Sequence, residues 1–185
     1  MLFRSHSGDK ILPVPNAPYI DLATWSFVNR AYTPQVLSLM RGIQINAQSP
    51  DKISRMMDIL KNNLGHTNLD YVEYAKINLS HQDQVIQTLD FLSDCPSVTT
   101  NVSEFVNAIS NDVSKIQLSM NDCLAAASVK NTDIDLVILT GGSTQIPYVS
   151  TIVRNTFPNA ILSDSNKMAS VGLGLAYDAM RRFAE

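Results

Sequence analysis

The chain has 185 residues, 17 of them acidic and 14 basic, with a formal net charge of −3 and a pI of about 5.5. This length allows one ordinary domain or two small ones. The mild negative charge gives no electrostatic footprint for nucleic acid, and no stretch approaches the roughly 20 apolar residues of a membrane span. No signal peptide is predicted at the start of the sequence, and two cysteines cannot build a disulfide framework. We therefore predict a cytoplasmic protein.

The first twenty residues contain Gly8, Pro13, Pro15 and Pro18. Because residues before proline avoid the helical region, we expect residues 11–20 to be extended. Such a segment is not typical of the start of a compact unit. It indicates that the chain begins within a domain and is a fragment.

Helical signals follow. Thr33-Pro34 combines an N-cap residue with a proline at the first helical position and predicts a helix to about residue 45. Ser49-Pro50 repeats this signal, and apolar residues then recur at helical spacing up to Gly65, which we predict to be the C′ glycine. A third helix is predicted over residues 69–79.

A short strand is predicted over residues 85–91, and Val98 begins its predicted hairpin partner. Asn101 followed by Glu104 resembles a capping box at the start of a long helix. The apolar stripe of this helix extends to about Ala127.

The last third of the chain changes character. Residues 135–140 form a continuous β-branched and Leu-rich run, which is typical of a strand buried on both faces. Gly141-Gly142 ends this strand, a helix follows with Pro147 near its start, and residues 160–162 form a second short strand. A final helix is predicted over residues 168–183. This order indicates a parallel layer with helices packed on it.

Two groups of residues are candidates for ligand contacts. The strand–Gly-Gly–helix junction at Gly141-Gly142 would let a phosphate or ribose approach the backbone, although a tight structural turn is about equally favoured by spacing alone. Glu73, Lys76 and Ser80 share one helix face and could hydrogen-bond a ligand, although spacing alone favours an ordinary solvated stripe.

Other chemistry finds little support in the sequence. Ser143 follows two glycines but lacks the GxSxG elbow of a nucleophile. His6, His66 and His81 have no partners at metal-ligand spacing, so no metal site is predicted. Gly172 and Gly174 in the final helix are expected to allow close approach of helix and sheet.

Three segments together resemble one family. Residues 134–147 (IDLVILTGGSTQIP) resemble the adenosine-binding segment of the heat-shock chaperones of the DnaK family. Residues 73–80 (EYAKINLS) match their E-x-A-K-x-x-L-S helix, and residues 166–178 are similar to their closing helix. The three matches follow the family's order. The Pro-rich beginning, Trp25 and the helices of 33–65 look more like YegD-type chaperone relatives, which lack the peptide-binding domain.

The resemblance implies an α/β fold, the second lobe of an actin-like ATPase domain. Residues 1–100 would form a mostly helical outer subdomain with a short β-hairpin, and residues 101–185 would form the second half of the inner subdomain, with βαβα order. The implied nucleotide-binding residues are Glu73, Lys76, Ile77, Ser80, Gly141, Gly142, Ser143 and Gln145. The family usually has arginines where Ile77 and Gln145 stand, and an aspartate where Met168 stands, so adenine packing is expected to be altered.

Neither phosphate-binding loop of the family, DxGT(T/S) or DxGGGT, occurs in the sequence. The resemblance therefore implies ATP or ADP with Mg in the parent protein, and no tightly bound cofactor, metal or catalytic residue in this chain. The implied partners are the remaining lobe of the ATPase domain and client or co-chaperone proteins, with no nucleic acid or membrane. One alternative is a nucleotide-insensitive protein-interaction module of the same fold. Another is a different actin-fold enzyme such as a sugar kinase, against which the E-x-A-K-x-x-L-S helix argues.

Overall fold

Helix is the commonest regular structure in the described part of the first hundred residues. The computed structural model describes residues 4–7, 10–163 and 170–183. Strands β1 (Arg4–Ser7) and β2 (Lys10–Pro13) pair antiparallel. Four helices follow: α1 (Ala17–Ala23), α2 (Pro34–Ile45), α3 (Pro50–Lys61) and α4 (Gly65–Asn78). Strands β3 (Gln84–Thr88) and β4 (Ser97–Asn101) then pair in a second two-stranded sheet.

The remaining elements alternate between helix and strand. They are α5 (Val102–Ala127), β5 (Leu136–Ile138), α6 (Pro147–Thr156), β6 (Ile161–Ser163) and α7 (Ser170–Phe183). Strands β5 and β6 are parallel, with Leu136 opposite Ile161. The parallel layer predicted from the order of strands and helices is therefore confirmed, and the mixed α/β class is consistent with part of an actin-like ATPase domain.

The described residues divide into two compact units. The first unit lies within residues 1–78 and 84–100, and the second lies within residues 79–83 and 101–185. The identification of these units with outer and inner subdomains stays a prediction.

The first unit has one continuous core. Thr33 caps α2 as predicted, its hydroxyl accepting from the Val36 amide at 3.3 Å. Helix α3 buries the apolar face that its spacing predicts. The buried residues of this core are Leu22, Val28, Ala31, Met40, Ile53, Met56, Met57, Ile59, Leu60 and Leu92.

The second unit begins with the predicted capping box. The Asn101 side chain accepts from the Glu104 amide at 2.9 Å, and the Glu104 carboxylate accepts from the Asn101 amide at 3.2 Å. These two bonds satisfy amide donors at the start of α5. The core of this unit forms two small clusters, one around Val113, Ile146 and Val149 and the other around Leu139, Val153 and Phe157.

Two predictions at helix ends are wrong. Residues 17–20 are helical rather than extended, because Pro18 occupies the first turn of α1, where the missing amide donor costs no hydrogen bond. Gly65 is not a C′ residue but the first residue of α4. The left-handed residue after α3 is Asn63, with φ +55°.

The expected burial of the strand and the last helix also differs. One face of the β5–β6 pair is open, with Leu136 52%, Ile138 64% and Ile161 72% exposed. A Cβ placed at Gly172 or Gly174 would have no described atom within 4 Å, so these glycines are not sites of close helix–sheet packing. Residues 164–169, including Met168, lie outside the described residues.

Candidate functional site

Glu73 and Lys76 form an ion pair on α4. The Lys76 Nζ lies 2.5 Å from the Glu73 Oε2, with the side chains 31% and 56% exposed respectively. The pair follows from the i, i+3 spacing, which places both side chains on neighbouring positions of one helix face. In the folded unit a carboxylate acceptor and an ammonium donor therefore lie side by side at the surface, an arrangement suited to a ligand that carries hydroxyls or ring nitrogens.

Two further residues of the predicted nucleotide-binding set, Ile77 and Ser80, follow Lys76 in the chain. Ile77 lies on α4 and is more than half exposed, although it is apolar. Ser80 does not lie on the predicted helix face, because α4 ends at Asn78 and Ser80 follows in the short segment that groups with the second unit. The helix thus presents Glu73, Lys76 and Ile77 in the first unit, while Ser80 belongs to the second.

The second candidate group surrounds the glycine turn after β5. Gly141 has φ +85° and ψ 158°, a backbone conformation that residues with a side chain rarely adopt. Gly142 does not share this conformation, because it begins a 3₁₀ helix that extends to Gln145. No described atom lies within 4 Å of a Cβ placed at Gly141, so backbone conformation rather than crowding requires glycine there.

Thr144 stabilises this turn, a role that the sequence analysis missed. Its hydroxyl donates to the Gly141 carbonyl at 2.7 Å, and its amide donates to the same carbonyl at 3.2 Å. The Ser150 hydroxyl in α6 donates to the Thr144 carbonyl at 3.0 Å. A hydroxyl three residues after the turning glycine is a known local signal, because short hydroxyl side chains bond nearby backbone groups.

The exposed side of the turn carries Ser143 and Gln145. Helix α6 begins at Pro147 as predicted, and the 3₁₀ helix separates this residue from Gly141. The amide groups closest to the glycines are therefore those of the 3₁₀ helix. The exposed surface of this turn consists of backbone, one hydroxyl and one amide side chain.

Within the described part of the chain, the side chains form no metal site and the helices form no membrane span. Among residues 4–7, 10–163 and 170–183, no group of three or more His, Cys, Asp and Glu side chains is arranged to hold a metal ion. Over those same ranges, no helix has the length and apolar character needed to cross a membrane.

Comparison with known proteins identifies the family. The model of the family described as Hsp70 protein matches residues 48–180. The chaperone protein dnaK of Cyanophora paradoxa is 34% identical over 113 residues, which are 58% of this chain and 18% of that protein. The mitochondrial heat shock 70 kDa protein of Pisum sativum is 29% identical over 132 residues, which are 68% of this chain and 20% of that protein.

A bacterial relative gives a similar result. The chaperone protein DnaK of Mycoplasmopsis pulmonis is 34% identical over 110 residues, which are 56% of this chain and 18% of that protein. The chain thus spans about a fifth of the length of the curated relatives it matches. Because the family model covers well over half of the chain, the chain belongs to the Hsp70 family.

Proposed function

We propose that this chain supplies the adenosine-contacting part of an ATP-binding domain in a chaperone-like ATPase and does not hydrolyse ATP by itself. The observation that carries the proposal is the Gly141 turn. Its positive φ and its exposed, side-chain-free backbone lie directly after a parallel strand, where α/β proteins bind nucleotides. Membership in the Hsp70 family supports the same assignment.

Each candidate residue has a specific role in this proposal. The Glu73 carboxylate would accept hydrogen bonds from ribose hydroxyls, and the Lys76 ammonium would donate to ribose oxygens or ring nitrogens. The exposed Ile77 side chain would pack on the flat face of adenine. Ser80 would add a hydroxyl bond.

The residues of the turn would act through backbone and short side chains. The Gly141 and Gly142 backbone would lie against the nucleoside, with Ser143 and Gln145 at its edge. A bulky side chain at the turn would therefore occupy space that the nucleoside needs.

Hydrolysis would require phosphate-binding motifs that this sequence does not contain. Phosphoryl transfer depends on groups that position the phosphates, the Mg²⁺ ion and the attacking water. The sequence contains neither DxGT(T/S) nor DxGGGT. Binding by the chain is therefore expected to be weak, about millimolar or about 4 kcal/mol, and to be similar for adenosine and ATP because the phosphates gain no contacts.

Calorimetric or NMR titration of the chain with adenosine and with ATP, each with and without Mg²⁺, tests the proposal. We expect binding of both ligands in the millimolar range, independent of Mg²⁺, and weakened at least about fivefold by Gly141→Val and by Lys76→Met. The matched control is Lys61→Met at the end of α3, which removes a lysine outside the candidate groups. Circular dichroism verifies that each variant is folded.

Two outcomes would contradict the proposal. Micromolar ATP binding that requires Mg²⁺ would show a phosphate site that the sequence does not reveal. Equal nucleoside affinity in the parent chain, Gly141→Val and Lys76→Met would show that the turn and the ion pair are structural only.

A nucleotide-insensitive interaction module is the second candidate. It is favoured by Ile77 and Gln145, which stand where the family usually carries arginines. A guanidinium stacked on adenine contributes on the order of 1 kcal/mol, so its loss at both positions weakens nucleotide binding. Absence of any titration with adenosine or ATP in a folded chain would favour this candidate.

We also propose that the whole protein binds ATP or ADP with Mg, acts on clients with co-chaperones and is cytoplasmic. These proposals rest on the family. The closer likeness to YegD-type relatives stays a prediction.

A further inference from the structure

A cavity of about 410 Å³ lies in the first unit, between α4 and the β3–β4 sheet. Helix α4 contributes one carboxylate and two aromatic rings, and strand β3 contributes one apolar and two polar side chains. The lining residues are Asp70, Tyr71, Tyr74, Ile86, Gln87 and Thr88. Glu73, Lys76 and Ile77, which the proposed function uses, do not line this cavity.

One wall of the cavity is held rigidly. The Tyr71 hydroxyl donates to the Asp90 carboxylate, and the Tyr71 ring lies 4.9 Å from the ring of Phe91 between centroids. The Gln87 amide nitrogen donates to the Tyr71 carbonyl at 3.0 Å. These contacts fix the ring and the backbone of Tyr71 before any ligand arrives, which reduces the ordering cost of binding.

Helix α4 also contributes a second ring and a negative charge to the cavity lining. Asp70 and Tyr74 are at i, i+4 spacing, so their side chains are neighbours on α4. The Asp70 carboxylate has no ion-pair partner among the described residues. Asp90, bonded to Tyr71, adds a second negative charge close to the cavity.

We propose that this cavity binds a cationic side chain, specifically the arginine of a partner polypeptide. A cation is attracted to the faces of tyrosine rings, and a carboxylate beside them adds a charge-assisted hydrogen bond. Arginine is favoured over lysine because the planar guanidinium stacks on a ring while its several donors bond the Asp70 carboxylate and the Gln87 amide oxygen. The site is separate from the proposed nucleoside contacts and does not depend on them.

Titration of the isotopically labelled chain with N-acetyl-arginine amide, followed by NMR, tests the proposal. We expect saturable shifts of the amides around Asp70, Tyr74 and Gln87. The neutral analogue N-acetyl-citrulline amide should bind at least about tenfold more weakly, since it lacks the charge. N-acetyl-lysine amide should bind more weakly than the arginine compound.

Substitutions of Asp70 and Tyr74 separate the contribution of the carboxylate to arginine binding from that of the aromatic ring. Asp70→Asn should weaken arginine binding at least about fivefold, whereas Asp122→Asn, on α5, should leave it unchanged. Tyr74→Leu should weaken binding several-fold and Tyr74→Phe should preserve it, because the cation contacts the ring face. The dispersion of the amide spectrum shows whether each variant is folded.

Three results would overturn the proposal. They are the absence of shifts up to about 50 mM ligand, equal binding of the citrulline analogue, and equal affinity of Asp70→Asn and the parent chain. Free arginine distinguishes the source of the cation. Binding of the free amino acid about tenfold tighter than that of the blocked compound would replace the partner polypeptide by a small-molecule ligand.

Discussion

The two units cover their apolar surface to different degrees. The first unit joins ten buried apolar residues from its helices and the β3–β4 connection into one cluster. The second unit has two buried clusters of three residues each, while Leu136, Ile138 and Ile161 remain exposed on one face of its sheet. Exposed apolar patches of this kind mark surfaces that another element or partner covers.

Helix α7 adds further exposed apolar surface to the second unit. Three of its apolar side chains, Val171, Leu175 and Phe183, are at least two-thirds exposed. A strand sequence that is apolar on both faces is typical of a parallel sheet covered on both sides. Since the chain spans about a fifth of its relatives' length, we propose that the rest of the ATPase domain covers this surface in the whole protein.

The largest expected effect contrasts a closed core with the open sheet face. Ile53 is 1% exposed within the core of the first unit. Ile53→Ala should lower the free energy of unfolding by about 3 kcal/mol, because it removes buried methyl groups and leaves a cavity. Ile138→Ala, the same change on the open face, should cost below about 1 kcal/mol. Urea denaturation measures both, and equal losses would show that the open face is covered in solution.

Two glycines in the first unit provide the second test. A Cβ at Gly65 would lie 2.3 Å from the Val28 Cγ2 and 2.5 Å from the Tyr32 hydroxyl, whereas one at Gly42 would have nothing within 4 Å. Gly65→Ala should destabilise by about 2 kcal/mol through overpacking. Gly42→Ala should stabilise by up to about 1 kcal/mol through helix propensity. Thermal denaturation measures both, and a neutral Gly65→Ala would show that this core is loosely packed.

The capping box tests how the second unit is stabilised. Asn101→Ala removes the acceptor of the Glu104 amide and should cost about 1 kcal/mol. Asn107→Ala, inside the same helix, is the matched control and should be neutral or slightly stabilising. Denaturation midpoints that coincide for Asn101→Ala and the parent chain would mean that the cap does not stabilise α5.

The smallest effect concerns pH. The hydrogen bond to the Asp90 carboxylate, together with burial, raises the pKa of Tyr71. The neutral hydroxyl therefore stabilises the folded state fully below pH about 10, and this contribution is lost as the pH rises through the raised pKa of the folded state. Tyr71→Phe should be less stable than the parent below that pH, and the two should converge above it.

Urea denaturation across this pH range measures the Tyr71 effect. Asp90→Asn is the control and should remove most of the pH dependence, because the carboxylate is the main cause of the shift. A constant difference between Tyr71→Phe and the parent chain at all pH values would contradict the assignment.

Local signals predicted most of the elements. The Thr33-Pro34 start of α2, the Asn101 capping box and the parallel β5–β6 pair follow from residue chemistry over a few positions. The prediction for Gly65 was wrong because a glycine between two apolar helices fits both a C′ position and a tight contact. Gly65 is crowded by the side chains of Val28 and Tyr32, which lie more than thirty residues earlier in the chain.

Some features of the candidate site were predictable from the sequence and others were not. The spacing of Glu73 and Lys76 predicts their common face, and the glycine pair predicts a turn after β5. The particular glycine with positive φ, and the role of Thr144 in holding it, depend on backbone angles and hydrogen bonds that spacing does not specify.

By itself the sequence determined the family, the parallel β5–β6 layer and the starts of α2, α3, α5 and α6, since these depend on motifs and on contacts within a few residues. Only the tertiary structure decided which apolar faces are covered and how Tyr71 is fixed. Burial depends on partners distant in sequence, and Tyr71 bonds Asp90, nineteen residues away, through a contact that no local pattern encodes.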